Sequence, residues 1–356
     1  MYTYGRKSGC RMSLDYTYKG MRIAYLENDA IRVGILLDKG ADVFEYTFKP
    51  RDIDFLWQSP LEMRKPYVAT NAMAEGAFHD YYYGGWQEVL PSAGWASEPY
   101  MGASQGLHGE ASLLPYEASA LEDTPDAVSL RTRVRLSRSP LSLERTMSLQ
   151  RDKAALFIKE KLVNESAEEF AIIWGHHPAI GTPFLNENCI VQTPARKVEV
   201  AAFHPNGLWE PGGDYDFPMV PNRRSGKLQD ITKVLPKATR SVDVVFFKEL
   251  AEGWYAITDP KSRLGFGMAW DKSVFKYLWM WQVYGGHNDY PWYGRTYNVA
   301  LEPFTSYPPA GIQNAIKNGT ALLMKPSEVI ETDLVAVAYE AASVTRVGRD
   351  GSIAVS

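Results

Sequence analysis

Val128-Ser129-Leu130-Arg131-Thr132-Arg133-Val134-Arg135-Leu136 alternates in polarity without a break. Successive residues of a strand point to opposite faces, so Val128, Leu130, Thr132, Val134 and Leu136 share one side while Ser129 and the three arginines share the other. One dry face and one wet face is the pattern of an antiparallel sheet resting on a core. The same period recurs from Ile31 through Val33 and Ile35 to Leu37, and again over residues 43–48, 141–149, 156–163, 242–247 and 329–338, all rich in β-branched and aromatic residues. Lys39-Gly40, Asn28-Asp29, Thr124-Pro125-Asp126, Asn164-Glu165-Ser166 and Asp259-Pro260 supply turns between these runs. Helical spacing is clearest at residues 309–317, where Ala310, Ile312, Ala315 and Ile316 are expected to face inward before Asn318-Gly319 ends the turn. Regular strands with few short helices predict an all-β fold, a large antiparallel β-sandwich.

No internal repeat, low-complexity tract or Pro/Gly/Ser linker divides the chain. Residues 211–213 and 221–226 read as loop ends, so residues 1–356 are expected to form a single domain. A hydrophobic share of 45% with 22% charged residues is ample for a sizeable core. The net charge of -4, with Lys and Arg scattered, argues against nucleic acid as a partner. Cys10 and Cys189 are too few for a disulfide framework. Residues 1–6 lack the apolar core of a signal peptide, and no apolar run is long enough to span a bilayer. A cytoplasmic, soluble protein with no membrane partner is the expectation; the sequence does not fix its oligomeric state.

The chain carries 10 Trp, 21 Tyr and 14 Phe. Such rings fill β-sandwich cores, and they also stack on the C–H faces of sugars; composition alone does not separate the two uses. Residues 60–109 have little periodicity, and a long irregular stretch in a compact protein is commonly functional. It holds His79-Asp80-Tyr81-Tyr82-Tyr83-Gly84-Gly85-Trp86-Gln87-Glu88-Val89-Leu90-Pro91, a mixture of glycine, aromatic and amide groups suited to a cleft wall.

Three segments carry candidate chemistry. In Tyr297-Asn298-Val299-Ala300-Leu301-Glu302-Pro303-Phe304 an apolar strand delivers a carboxylate to the rim of a core, where partial desolvation makes a general base. Gly175-His176-His177-Pro178 places two histidines at a strand end, and because neighbours on a strand point apart, at most one faces a cleft. Leu107-His108-Gly109-Glu110 supplies another histidine. A His-x-Glu pair with a distant His has the donor types for a divalent ion, but there is neither a His-x-His cluster nor a HExxH helix, and no metal is expected.

Taken together, the Leu-His-Gly, His-Pro and Leu-Glu-Pro motifs, in this order and separated by 69 and 125 residues, resemble the catalytic set of the aldose 1-epimerase (galactose mutarotase-like) family. Residues 36–43 with Asp54-Phe55-Leu56 are similar to that family's opening hairpin, and residues 265–270 and 277–284 to the strands before its catalytic glutamate. Glu110 stands where the family ordinarily has a further glycine. The resemblance implies a galactose mutarotase-like sandwich that interconverts the anomers of a free sugar. Glu302 would act as base on the anomeric hydroxyl, His177 as acid on the ring oxygen, and His108 as a hydrogen-bonding group beside that oxygen. Trp86, Gln87, Glu110, Trp174, Trp281 and Arg295 are the expected substrate contacts. Ring opening, bond rotation and reclosure involve no redox change or phosphate transfer, so no cofactor is implied. Two other readings remain open at this point. One is a carbohydrate lyase or glycoside-processing enzyme on the same fold; the other is a sugar-binding protein without turnover.

Overall fold

A computed structural model describes residues 6–66, 76–308 and 310–355. Residues 1–5, read above for a signal peptide, residues 67–75 of the irregular stretch, and Pro309 at the start of the expected helix lie outside the described residues. Two antiparallel sheets dominate. The larger has twelve strands, and its central run is Trp86–Val89, Gly175–Gly181, Tyr297–Phe304, Tyr277–Tyr284 and Ser241–Lys248, each hydrogen-bonded to the next. The smaller has eight, ordered Ile190–Gln192, Trp254–Asp259, Leu264–Trp270, Val329–Tyr339, Ala155–Asn164, Leu141–Gln150, Ala127–Arg135 and Glu117–Asp123. No described helix is long and apolar enough to cross a membrane.

The strand Ala127–Arg135 buries Val128, Leu130, Thr132 and Val134 and exposes Arg133 and Arg135. Arg133 pairs across to Glu144 at 3.3 Å, which keeps that face wet. The buried face packs with Met147, Leu156 and Ile158 of the same sheet against Val33, Ile35, Met280 and Leu301 of the larger one. A second apolar layer lies on the opposite face of the larger sheet, where Val244, Trp279, Trp281, Ala300 and Phe304 meet Phe78, Tyr82, Leu107 and Trp292 from the surrounding loops. The central strands are therefore buried on both faces, and Gly175–Gly181 is buried throughout.

Two local expectations change. The helix is Ile312–Lys317; Ile312 and Ala315, three residues apart, make its buried face, while Ile316 is turned outward. The irregular stretch 60–109 contributes the helix Gly76–Tyr81 and the strand Trp86–Val89, the latter integral to the larger sheet. All four residues of that strand are buried, so no alternation marks it in the sequence.

Candidate active site

Gly175 pairs with Phe304 and Ala179 with Ala300, a constant register that sets His177 opposite Glu302 on one face of the larger sheet. Gln87 pairs with His177 on one flank, and Trp279 with Glu302 on the other. Local packing holds this row in place. A Cβ on Gly175 would lie 2.1 Å from the Phe304 ring, so only glycine lets the two strands close there. Phe304 in turn stacks on Trp279, with centroids 3.9 Å apart and planes at 23°.

His177 Nε2 lies 3.4 Å from Glu302 Oε1, and its Nδ1 lies 3.3 Å from the Tyr82 hydroxyl. Both side chains are nearly inaccessible, at 4% and 3% exposure. Burial pushes the Glu302 carboxyl well above the usual carboxylate range and the His177 imidazole down to about 4. Both shifts favour the uncharged form of each group, a carboxyl beside a neutral imidazole. His108 is next, its ring 5.3 Å from that of His177. The Gly94 N–H donates to His108 Nδ1 at 3.4 Å, which fixes the tautomer with the proton on Nε2. Burial, then the neighbouring His177 and His79, hold His108 well below the ordinary histidine range.

Around this group opens a narrow cleft of about 80 Å³. Trp279, Trp281, Trp292 and Tyr82 form its aromatic wall, and Trp95 stacks on Phe203 at 5.9 Å and 21°. His79, His108, His177 and His287 all line it. His204 packs on His287 at 5.0 Å, and His176 lies directly beneath on the other face of the sheet, so every histidine of the chain is at or under this cleft. His79 stands in the stretch read as a cleft wall and lies in the helix Gly76–Tyr81, whereas His204 and His287 were not legible as site residues. Those two stand far apart in the sequence, and the one available signal was their place in loops beside aromatic or glycine residues.

Of the expected substrate contacts, Trp281 lines the cleft and five others do not. Trp86 and Trp174 are buried; the Trp86 indole donates to His176 Nδ1 at 3.3 Å and the Trp174 indole to Glu88. Gln87 is fully buried, its amide donating to Gly84 O at 2.6 Å and Asp42 Oδ2 at 3.2 Å. Glu110 turns away to accept from the backbone N–H groups of Ser137 and Arg138, at 2.8 and 3.0 Å, closing a turn. Arg295 is exposed and donates to the backbone oxygen of Trp292 at 3.2 Å.

Glu110 therefore does not converge with His108 and His177 on a common ion. Another group has ligand spacing: Glu88, Glu160 and His176 bring their donor atoms within 4.8 Å of one another. The Arg145 guanidinium already fills the cation's place, with Nε 3.1 Å from Glu160 and 3.3 Å from Glu88, and a metal ion there would face it directly. Burial and the neighbouring Glu160 raise Glu88 to about 7.

A twelve-stranded sheet facing an eight-stranded one, with a Glu/His cleft on the outer face of the larger, defines a galactose mutarotase-like β-sandwich. Among solved structures with this fold is one from Klebsiella pneumoniae provisionally assigned as an aldose 1-epimerase: identity is 15%, 94% of this chain and 84% of that one are covered, and the TM-score is 0.72. A galactose mutarotase-like protein from Clostridium acetobutylicum shares 13% identity over 93% of this chain and 99% of its own, with a TM-score of 0.62. A galactose mutarotase related enzyme from Lactobacillus acidophilus shares 15% over 90% and 98%, with a TM-score of 0.58. At such identities the likeness establishes the fold. No curated protein matches the sequence. Residues 18–336 match the family described as Domain of unknown function (DUF4432), and the chain belongs to that family.

Proposed function

We propose that the protein is an aldose 1-epimerase-like isomerase that interconverts the anomers of a free sugar. The observation carrying this reading is the Glu302–His177 pair, 3.4 Å apart on the floor of an aromatic cleft, with His108 beside it. Ring opening takes the anomeric hydroxyl proton and gives one to the ring oxygen; reclosure reverses both transfers. A pair holding a single proton can do both. When a sugar binds, its hydroxyls replace lost water around the pair and favour the carboxylate–imidazolium form. Glu302 then accepts from the anomeric hydroxyl, His177 donates to the ring oxygen, and the pair is left as carboxyl and neutral imidazole, the form that burial favours. His108, with its proton on Nε2, donates a hydrogen bond to the sugar.

Magnetisation-transfer NMR on a panel of free aldoses tests this directly. Anomer exchange should accelerate on at least one sugar, and Glu302→Gln should reduce that acceleration by about 10²- to 10⁴-fold, the usual contribution of a positioned acid–base group. An unchanged rate in Glu302→Gln removes the assignment, and no acceleration on any sugar removes the activity.

A further inference from the structure

The chemistry of the cleft wall narrows the sugar class. Among the described residues no Lys or Arg lines the cleft, and Glu302 is its one acidic group. Burial pushes His79, His177 and His287 each down to about 4, so near neutral pH none supplies a positive charge. A phosphate or carboxylate in this space would lose its water with no countercharge.

Much of the wall offers neither donor nor acceptor: Phe78, Leu107, Phe203 and Val244 present carbon alone. A hydroxyl pressed against such surface without a partner is penalised by its lost hydrogen bonds to water, whereas a methyl there is favoured by leaving water. The indole faces of the Trp279, Trp281 and Trp292 wall are electron-rich and attract the polarised C–H groups of a sugar ring. A polar atom of the cleft wall that is closed to water also lacks a partner. His287 is 9% exposed, and its Nδ1 makes no hydrogen bond among the described residues. A buried donor or acceptor without a partner at a cleft wall is a place for a ligand hydroxyl.

We propose that this site takes an uncharged, hydroxyl-poor sugar, a deoxy or alkylated aldose, held by the tryptophan wall and by His287, and that it rejects sugar phosphates and sugar acids. The proposal rests on the isomerase reading for its choice of a sugar, but it concerns binding and is tested separately from turnover.

The test is calorimetric and tryptophan-fluorescence titration of the full-length protein with two series differing only at C6. One is D-galactose, its 6-deoxy analogue, galactose 6-phosphate and galacturonate; the other is the corresponding glucose set. In at least one series the 6-deoxy sugar should bind at least as tightly as the parent, and the phosphate and acid at least about tenfold more weakly. His287→Phe, which keeps the ring volume, should weaken the neutral sugars by about tenfold with the unfolding midpoint unchanged. A phosphate or acid that binds as tightly as its parent overturns the proposal. So does a 6-deoxy sugar weaker than its parent in both series, binding by neither series, or unaltered affinity in His287→Phe. Saturable binding of the deoxy sugar without faster anomer exchange leaves this inference standing and removes the isomerase reading. Faster exchange on galactose 6-phosphate does the reverse.

Discussion

At the scale of single residues, Glu302 and His177 are shifted in opposite directions by the same cause. Burial raises the carboxyl above its ordinary range and lowers the imidazole to about 4, so between those two values the pair carries one proton. Lowering the pH through about 4 adds a second proton and leaves no base; raising it past the elevated carboxyl value removes the shared proton and leaves no acid. The pH profile of kcat/KM for anomer exchange should therefore have an acid limb near 4 and an alkaline limb set by Glu302, above the ordinary carboxylate range. Glu302→Gln should remove the alkaline limb along with the rate. An acid limb near the ordinary histidine value of about 6.5 would mean that His177 is not buried against the carboxyl in solution. Stability gives an independent check on the sign. A carboxyl whose folded pKa is raised favours folding fully below its unfolded value of about 4.3, and that advantage is lost as pH rises through the folded value. Glu302→Gln should then melt above the wild-type protein at pH 8 and level with it near pH 4, as read by differential scanning calorimetry.

At the scale of strands, the site depends on how closely Gly175–Gly181 approaches Tyr297–Phe304. The Phe304 ring occupies the place a Cβ on residue 175 would take, and that ring is stacked on Trp279, which pairs with Glu302. Gly175→Ala should cost about 1–3 kcal/mol by overpacking. It should also weaken sugar binding by tilting the Trp279 wall, whereas Phe304→Leu in the same chain should restore most of the unfolding midpoint. A Gly175→Ala protein as stable as wild type in urea would show that the strands do not close as described. The same strands explain what was legible in the sequence and what was not. Ala127–Arg135 has one dry face and one wet face, so its polarity pattern states its orientation. Trp86–Val89, Gly175–Gly181 and Tyr297–Phe304 are buried on both faces, and the hydrophobic effect leaves no period to read. Glu302, His177 and His108 could be found because the Leu-Glu-Pro, His-Pro and Leu-His-Gly motifs around them resemble a known catalytic set, although Pro178 and Pro303 lie within strands rather than in turns. Which tryptophans share their face could not: Trp86 and Trp174 and the wall residues Trp279 and Trp281 differ only in strand parity relative to Glu302 and His177, and parity needs the register.

At the scale of the whole molecule, a charged cluster fastens the two sheets together directly beneath the cleft. Arg145 and Glu160 come from the eight-stranded sheet and Glu88 and His176 from the twelve-stranded one, all buried. His176 Nδ1 accepts from the Trp86 indole, so its Nε2–H donates to Glu160 at 3.2 Å. With Glu88 raised to about 7 by burial and by Glu160, a proton is available to one carboxyl while Arg145 offsets the other. Removing the guanidinium leaves two buried carboxylates without a counterion, whereas an apolar isostere of the whole cluster need not be costly. Arg145→Met should therefore lower unfolding stability by about 3–5 kcal/mol at pH 7.5, measured by urea titration with tryptophan fluorescence. Glu160→Gln added to Arg145→Met should recover part of that loss, because it removes one of the charges left unpaired. The loss should also shrink at pH 5, below the raised Glu88 value, where that carboxyl is already neutral. Because the cluster ties one sheet to the other, we expect residues 1–356 to unfold in one transition, with Arg145→Met shifting it whole. Separate transitions for the two sheets, or a loss under about 1 kcal/mol in Arg145→Met, would mean that apolar contact alone joins them.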